Sequence, residues 1–127
     1  MGKKYPEEYY LFFEKFNEGE YYECHDLLEE IWITDRQNKF LQGLLQVAVA
    51  IYHFENGNIH GSRALFQSAY QYLQPYRPFC WDLNLEPVIA FIDQALKILP
   101  EQRRISLEEV KQLEFPTIQL YLEKEKL

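Results

Sequence analysis

Residues 38–55 constrain this chain more than any other stretch. Phe40, Leu41, Leu44, Leu45, Val47, Ala48, Val49, Ala50, Ile51, Tyr52 and Phe54 leave almost no polar side if the segment is helical. A helix apolar around most of its circumference must be covered on several sides. The remaining elements therefore have to wrap around it. Gln42, Gln46 and His53 interrupt the run before it reaches the roughly 18 residues of a membrane span, so no membrane partner is expected. Asn56-Gly57-Asn58 closes the segment with residues that tolerate a left-handed cap.

The flanking segments carry the matching amphipathic faces. Residues 6–17 open with Pro6, Glu7 and Glu8, as helix starts prefer. Tyr9, Phe12, Phe13 and Phe16 then recur at helical spacing on one aromatic face. Residues 20–33 read as a second helix, with Tyr21, Cys24, Leu28 and Ile31 inward and Glu23, Asp26 and Glu30 on the opposite side. Residues 59–73 form a fourth. Its Gly61, Ala64, Leu65, Ser68, Ala69 and Tyr72 read as a small-residue face for close helix packing, with Arg63, Gln67, Tyr70, Gln71 and Gln74 outward. An extended proline loop over 74–79 leads to a fifth helix at 85–99. Ser106-Leu107-Glu108-Glu109 matches a capping box for a short sixth, and residues 115–120 read as an extended strap. No strand-like alternation stands out. The expected fold class is all-α: a compact bundle of five to six helices with antiparallel neighbours and an extended C-terminal tail. With 127 residues, it should form a single domain.

Composition removes several function classes. The chain is 47% hydrophobic and 17% aromatic, ample material for a core, and its net charge is −7. Nucleic-acid binders gain affinity by neutralising phosphates with Lys and Arg, and here the basic residues are scattered, so no nucleic-acid partner is expected. Cys24 and Cys80 lack the spacing of a metal or redox motif. The N-terminus carries no apolar signal segment. The expectation is a reduced, cytoplasmic protein with no metal and no cofactor. Gly-rich phosphate loops, GxSxG and HExxH are all missing.

Two polar lines hold what chemistry there is. Residues advance about 100° each around a helix axis, so His25, Glu29 and Trp32 share one line on the second helix. Gln42, Gln46 and His53 share another on the third. If the two helices are antiparallel neighbours, these six side chains could line one small pocket that binds a polar ligand. His25 and Glu29 could also serve as an acid–base pair or two ligands of a metal, although a zinc site needs more. The competing readings are a solvent edge, with His25 and Glu29 a surface pair, or a purely structural hydrogen-bond network. His60 reads as an exposed helix-start residue, and Trp81 as a plug in the core.

The run Phe16-Asn17 followed by Glu20-Tyr21-Tyr22-Glu23-Cys24-His25-Asp26-Leu27-Leu28-Glu29-Glu30-Ile31-Trp32 resembles the signature of the domain of unknown function family 309. Leu41-Gln42-Gly43-Leu44-Leu45-Gln46 through His53 is similar to that family's second motif, and Gly57-Asn58 with Gly61 and Ala64 to its third. The likeness covers about residues 8–75. Asp26 stands where many members carry Glu, and Arg36 is the nearest match to an Arg that often precedes the second motif. The resemblance implies an all-helical, soluble protein and no established activity. The first expectation is therefore a binding or scaffolding module, working with a protein partner or as a homo-oligomer through exposed aromatics such as Tyr9, Tyr10 or Tyr70. The alternative is a small enzyme or ligand carrier built on the His/Glu/Gln pocket.

Overall fold

The structure, a computed structural model, describes residues 4–123. Among them run six α-helices: α1 (Glu7–Asn17), α2 (Tyr21–Thr34), α3 (Lys39–Glu55), α4 (Ile59–Leu73), α5 (Glu86–Ile98) and α6 (Leu107–Gln112). Consecutive helices from α1 to α5 pack on one another, and α3 sits between α2 and α4. The all-α architecture is the one that the apolar third segment demanded. Phe40, Leu41, Leu44, Val47, Ala48, Ala50, Ile51 and Phe54 of α3 are all buried.

Side chains start three of the helices; the box at Ser106 was expected, whereas Asn38 and Asn58 cap α3 and α4 without having been singled out. The Asn38 carboxamide oxygen accepts from the Leu41 backbone N–H at 3.1 Å, and Asn58 does the same for Gly61 at 3.0 Å. At α6, Ser106 and Glu109 form the reciprocal box. Each such cap satisfies a backbone donor that the first turn leaves open.

The close approach of α3 and α4 has a different source from the one expected. The buried residues of α4 are Ile59, Ser62, Phe66, Ala69 and Leu73, whereas Ala64 is exposed. The small residue that brings the helices together is Gly43 on α3. A Cβ there would lie 2.7 Å from Leu73 Cδ2. Large side chains on α4 thus fill space that a glycine on α3 leaves empty. The tyrosines also need correcting. Tyr9 is fully buried, and Tyr10 and Tyr70 are half-buried. The exposed large apolar residues are Tyr22, Ile33, Leu107 and Tyr121.

Between α4 and α5 the loop is less extended than its prolines suggest. A 3-10 turn (Gln74–Tyr76) precedes a small antiparallel hairpin, β1 (Phe79–Cys80) and β2 (Leu83–Asn84). Its turn puts Trp81 and Asp82 at φ 49° and 60°, the left-handed pair of a tight hairpin turn. Asn-Gly or Asp-Gly usually marks such a turn, so Trp81-Asp82 hides it. Stacking compensates for the backbone cost: the Trp81 ring lies 5.0 Å from Tyr5, with 9° between their planes. Arg77 then ties the loop to α5 through two bonds to the Glu86 carboxylate, at 2.7 and 2.6 Å.

The C-terminal strap runs from α3 past the end of α1 to the hairpin. Phe115 stacks on Phe54 at 3.8 Å, and Leu122 bridges to Leu83. Asn17 holds the strap as a strand would: its Nδ2 donates to the Leu120 carbonyl at 2.9 Å and its Oδ1 accepts from the Leu120 N–H at 2.8 Å. The seam between α2 and α3, by contrast, stays open along a groove.

Candidate functional site

The groove has two stretches that share His25 and Val49. Because α2 and α3 run antiparallel, the end of one helix lies beside the start of the other. Trp32 therefore faces Gln42 and Gln46, with Leu45, Val49 and Leu65 of α4 completing a stretch of about 230 Å³. Toward the opposite end, Tyr21, Tyr22 and Asp26 face Tyr52 and His53 across about 240 Å³. From Tyr22 to Trp32 the groove follows ten residues of helix, or about 15 Å.

The six residues singled out from the sequence do not all meet at one point. His25, Trp32, Gln42 and Gln46 line the first stretch. His53 lines the second, and Glu29 lines neither. Glu29 turns along the outside of α2, where its Oε2 lies 3.0 Å from His25 Nε2, and both side chains are about two-fifths exposed. The other His25 nitrogen lies 3.4 Å from Asp26 Oδ1. An imidazole flanked on both sides by its own helix's carboxylates forms a polar lip on the groove.

His53 is more constrained. Asn58 Oδ1 is committed to the Gly61 N–H, so Nδ2 of the same amide points at His53 Nδ1, 3.2 Å away. The ring nitrogen there accepts, which leaves the proton on Nε2. Burial also lowers the His53 pKa below its usual value. The cap of α4 thus orients this imidazole, and its burial disfavours the protonated form.

Two polar atoms in the first stretch are left over. Trp32 Nε1 and Gln46 Oε1 are sealed from solvent without a hydrogen-bond partner. Gln42 is engaged, its Oε1 accepting from Lys39 Nζ at 3.4 Å. The Arg36 guanidinium lies over the Trp32 ring, 5.6 Å from its centre. The tyrosine pair Tyr22 and Tyr52, 5.4 Å apart, belongs to the groove and was missed from sequence. Tyr52 reads there as one more apolar residue of a central helix, and only its packing against Tyr22 across the seam puts it in the groove.

Other reactive groups are closed off. Burial pushes the Cys24 thiol up to about 12 and the Cys80 thiol up to about 11, so neither is a thiolate near neutrality. Among the described residues, no group of three or more His, Cys, Asp or Glu is placed to hold a metal ion. No helix among them is long and apolar enough to cross a membrane.

Six helices among the described residues, with an open, polar-lipped groove between the second and third, define the class of protein this geometry belongs to. Residues 9–65, from α1 into α4, match the model of the family described as Domain of unknown function (DUF309), the one its helical motifs resemble. The uncharacterized protein YpuF of Bacillus subtilis (strain 168) is 33% identical over 86 residues, covering 65% of this chain and 49% of that protein. An uncharacterized protein of Aquifex aeolicus (strain VF5) is 25% identical over 84 residues, or 64% of this chain and 25% of that protein. The chain thus spans about half the length of the first relative and a quarter of the second.

Proposed function

We propose that this chain is a non-catalytic binding module whose working surface is the α2–α3 groove. The observation that carries this reading is the open groove itself, two adjoining stretches of about 230 and 240 Å³ that share His25 and Val49. Leu45, Val49 and Leu65 give it an apolar lining, and His25, Gln42 and Gln46 place polar groups along the same walls. Apolar concavities with a few polar groups are where small ligands bind. Catalysis has less support, since Glu29 lies outside the groove walls and His25 already faces two carboxylates of its own helix.

The test is a thermal-shift screen with metabolite and peptide panels on the natural chain and on Val49→Arg, which fills the groove. A specific ligand raises stability by mass action, and the variant should lose that response. A screen in which every stabilising compound acts equally on both proteins would sink the proposal.

A second reading, self-association, is favoured by Tyr22 and Ile33, exposed at 61% and 51%. Eleven residues apart, they lie three turns along one line of α2. Light scattering should then report a mass above the monomer that Tyr22→Ser with Ile33→Ser reduces. A monomer at every concentration would end that reading.

A further inference from the structure

The second stretch of the groove is walled by aromatic rings, with Tyr21, Tyr22 and Asp26 facing Tyr52 and His53. The groups that matter there are open to solvent. Tyr22 is 61% exposed, the Asp26 side chain 70%, and Tyr21 and Tyr52 are half-buried. Tyr22 and Asp26 are four residues apart on α2 and are therefore neighbours on its surface. Tyr22 meets Tyr52 across the seam, with ring centres 5.4 Å apart and planes inclined by 54°. The charge here has one sign. Among the described residues, no Lys or Arg lines this stretch. His53 Nδ1 accepts from the Asn58 amide, and burial disfavours the protonated ring. The His25 nitrogens lie 3.4 and 3.0 Å from the Asp26 and Glu29 carboxylates, so even a protonated His25 leaves these three groups net negative.

We propose that the Tyr22–Tyr52 stretch binds a small quaternary ammonium ion, an assignment that rests on reading the groove as a binding site. The face of an aromatic ring is the negative end of its quadrupole and attracts a cation within about 6 Å of the ring centre. Rings on both walls and a carboxylate one turn from Tyr22 supply that attraction together. A primary ammonium gains less, because its three N–H donors must exchange water for acceptors, and the His53 nitrogen left free by Asn58 is itself a donor. Methyl groups on nitrogen need no acceptor and lie against the rings and Val49. An uncharged group of the same shape gains the apolar contact alone.

The experiment titrates three probes into the full chain and reads saturation transfer to the probes' own proton signals. Choline carries the quaternary head. Neohexanol has carbon in place of that nitrogen and no charge, and ethanolamine keeps the charge without the methyls. Choline should bind about tenfold more tightly than neohexanol, and more tightly than ethanolamine. Tyr52→Leu should remove the preference for choline, whereas Tyr52→Phe, which keeps the ring, should retain it. Asp26→Asn should weaken choline severalfold and leave neohexanol unchanged, a split that loss of folding would not produce. Equal binding of choline and either analogue, choline binding that ignores Tyr52→Leu, or no choline binding overturns the assignment. If choline fails while other compounds still bind and lose that binding in Val49→Arg, the ammonium assignment alone falls. If Val49→Arg alters no binder, the groove reading falls with it.

Discussion

The two tryptophans of this chain sit in opposite kinds of environment. Trp81 closes an aromatic cluster with Tyr5, Tyr9 and Phe40, whose ring centres all lie within 5.9 Å of its own. The backbone there is satisfied too, since the Tyr9 hydroxyl donates to the Trp81 carbonyl at 3.0 Å. Trp32 stands in the wall of an open groove with its indole N–H unpaired. One region gathers three segments of the chain onto a shared core. The other, between two neighbouring helices, leaves two polar atoms buried without partners. Aromatic residues alone do not separate a plug from a binding wall; the bonding state of the nearby polar atoms does.

If that contrast is right, the closed cluster should be the costlier one to disturb. Phe40→Ala removes a fully buried ring that contacts Tyr9, Tyr76 and Trp81. It should destabilise the fold by about 3–5 kcal/mol in denaturant unfolding. A loss below about 1 kcal/mol would mean that the cluster is not the anchor described here. Tyr9→Phe keeps the ring but strands the Trp81 carbonyl, for an expected loss of about 1–2 kcal/mol.

The groove should respond in the reverse direction. Gln46→Leu removes a sealed carbonyl that bonds nothing, so unliganded stability should rise by about 1 kcal/mol. A clear loss of stability in that variant would show that Gln46 supports the fold, and the contrast between the two regions would dissolve.

The smallest effect concerns pH. Burial lowers the His53 pKa, so the unfolded chain takes up this proton near pH 6.5 while the folded chain still resists it. Between those two points the unfolded state holds more protons, and stability rises with pH. The His53 contribution is therefore complete above about pH 7 and declines as pH falls through about 6.5. His53→Gln should flatten that limb of the stability profile. Parallel profiles for the two proteins between pH 7.5 and 5.5, chosen to span the usual imidazole range, would remove His53 as its cause.

Much of the frame was legible before any coordinates. Periodicity located the first five helices because burial of an apolar stripe has a fixed spacing, and the Ser106 capping box announced the sixth because helix starts need a side-chain acceptor. The polar lines on α2 and α3 were also legible, since they lie within single elements. What stayed hidden depended on partners distant in sequence. Nothing near Asn17 indicates that its amide will pair with Leu120, and nothing near Gly43 indicates that it makes room for Leu73. The hairpin turn at Trp81-Asp82 was masked because its left-handed backbone is stabilised by a ring from Tyr5, not by the turn residues themselves.

Local spacing and the apolar third segment were enough by themselves to dictate a helical bundle with α3 at its centre, because the penalty for exposing so much apolar surface allows few other outcomes. Which members of each polar line meet was decided only by tertiary packing. A helix places His25 and Glu29 on one line, yet the rotation of α2 against α3 sends Trp32 and His25 into the groove and Glu29 along its outside. That rotation is set by the buried residues of both helices acting together, and no single segment contains it.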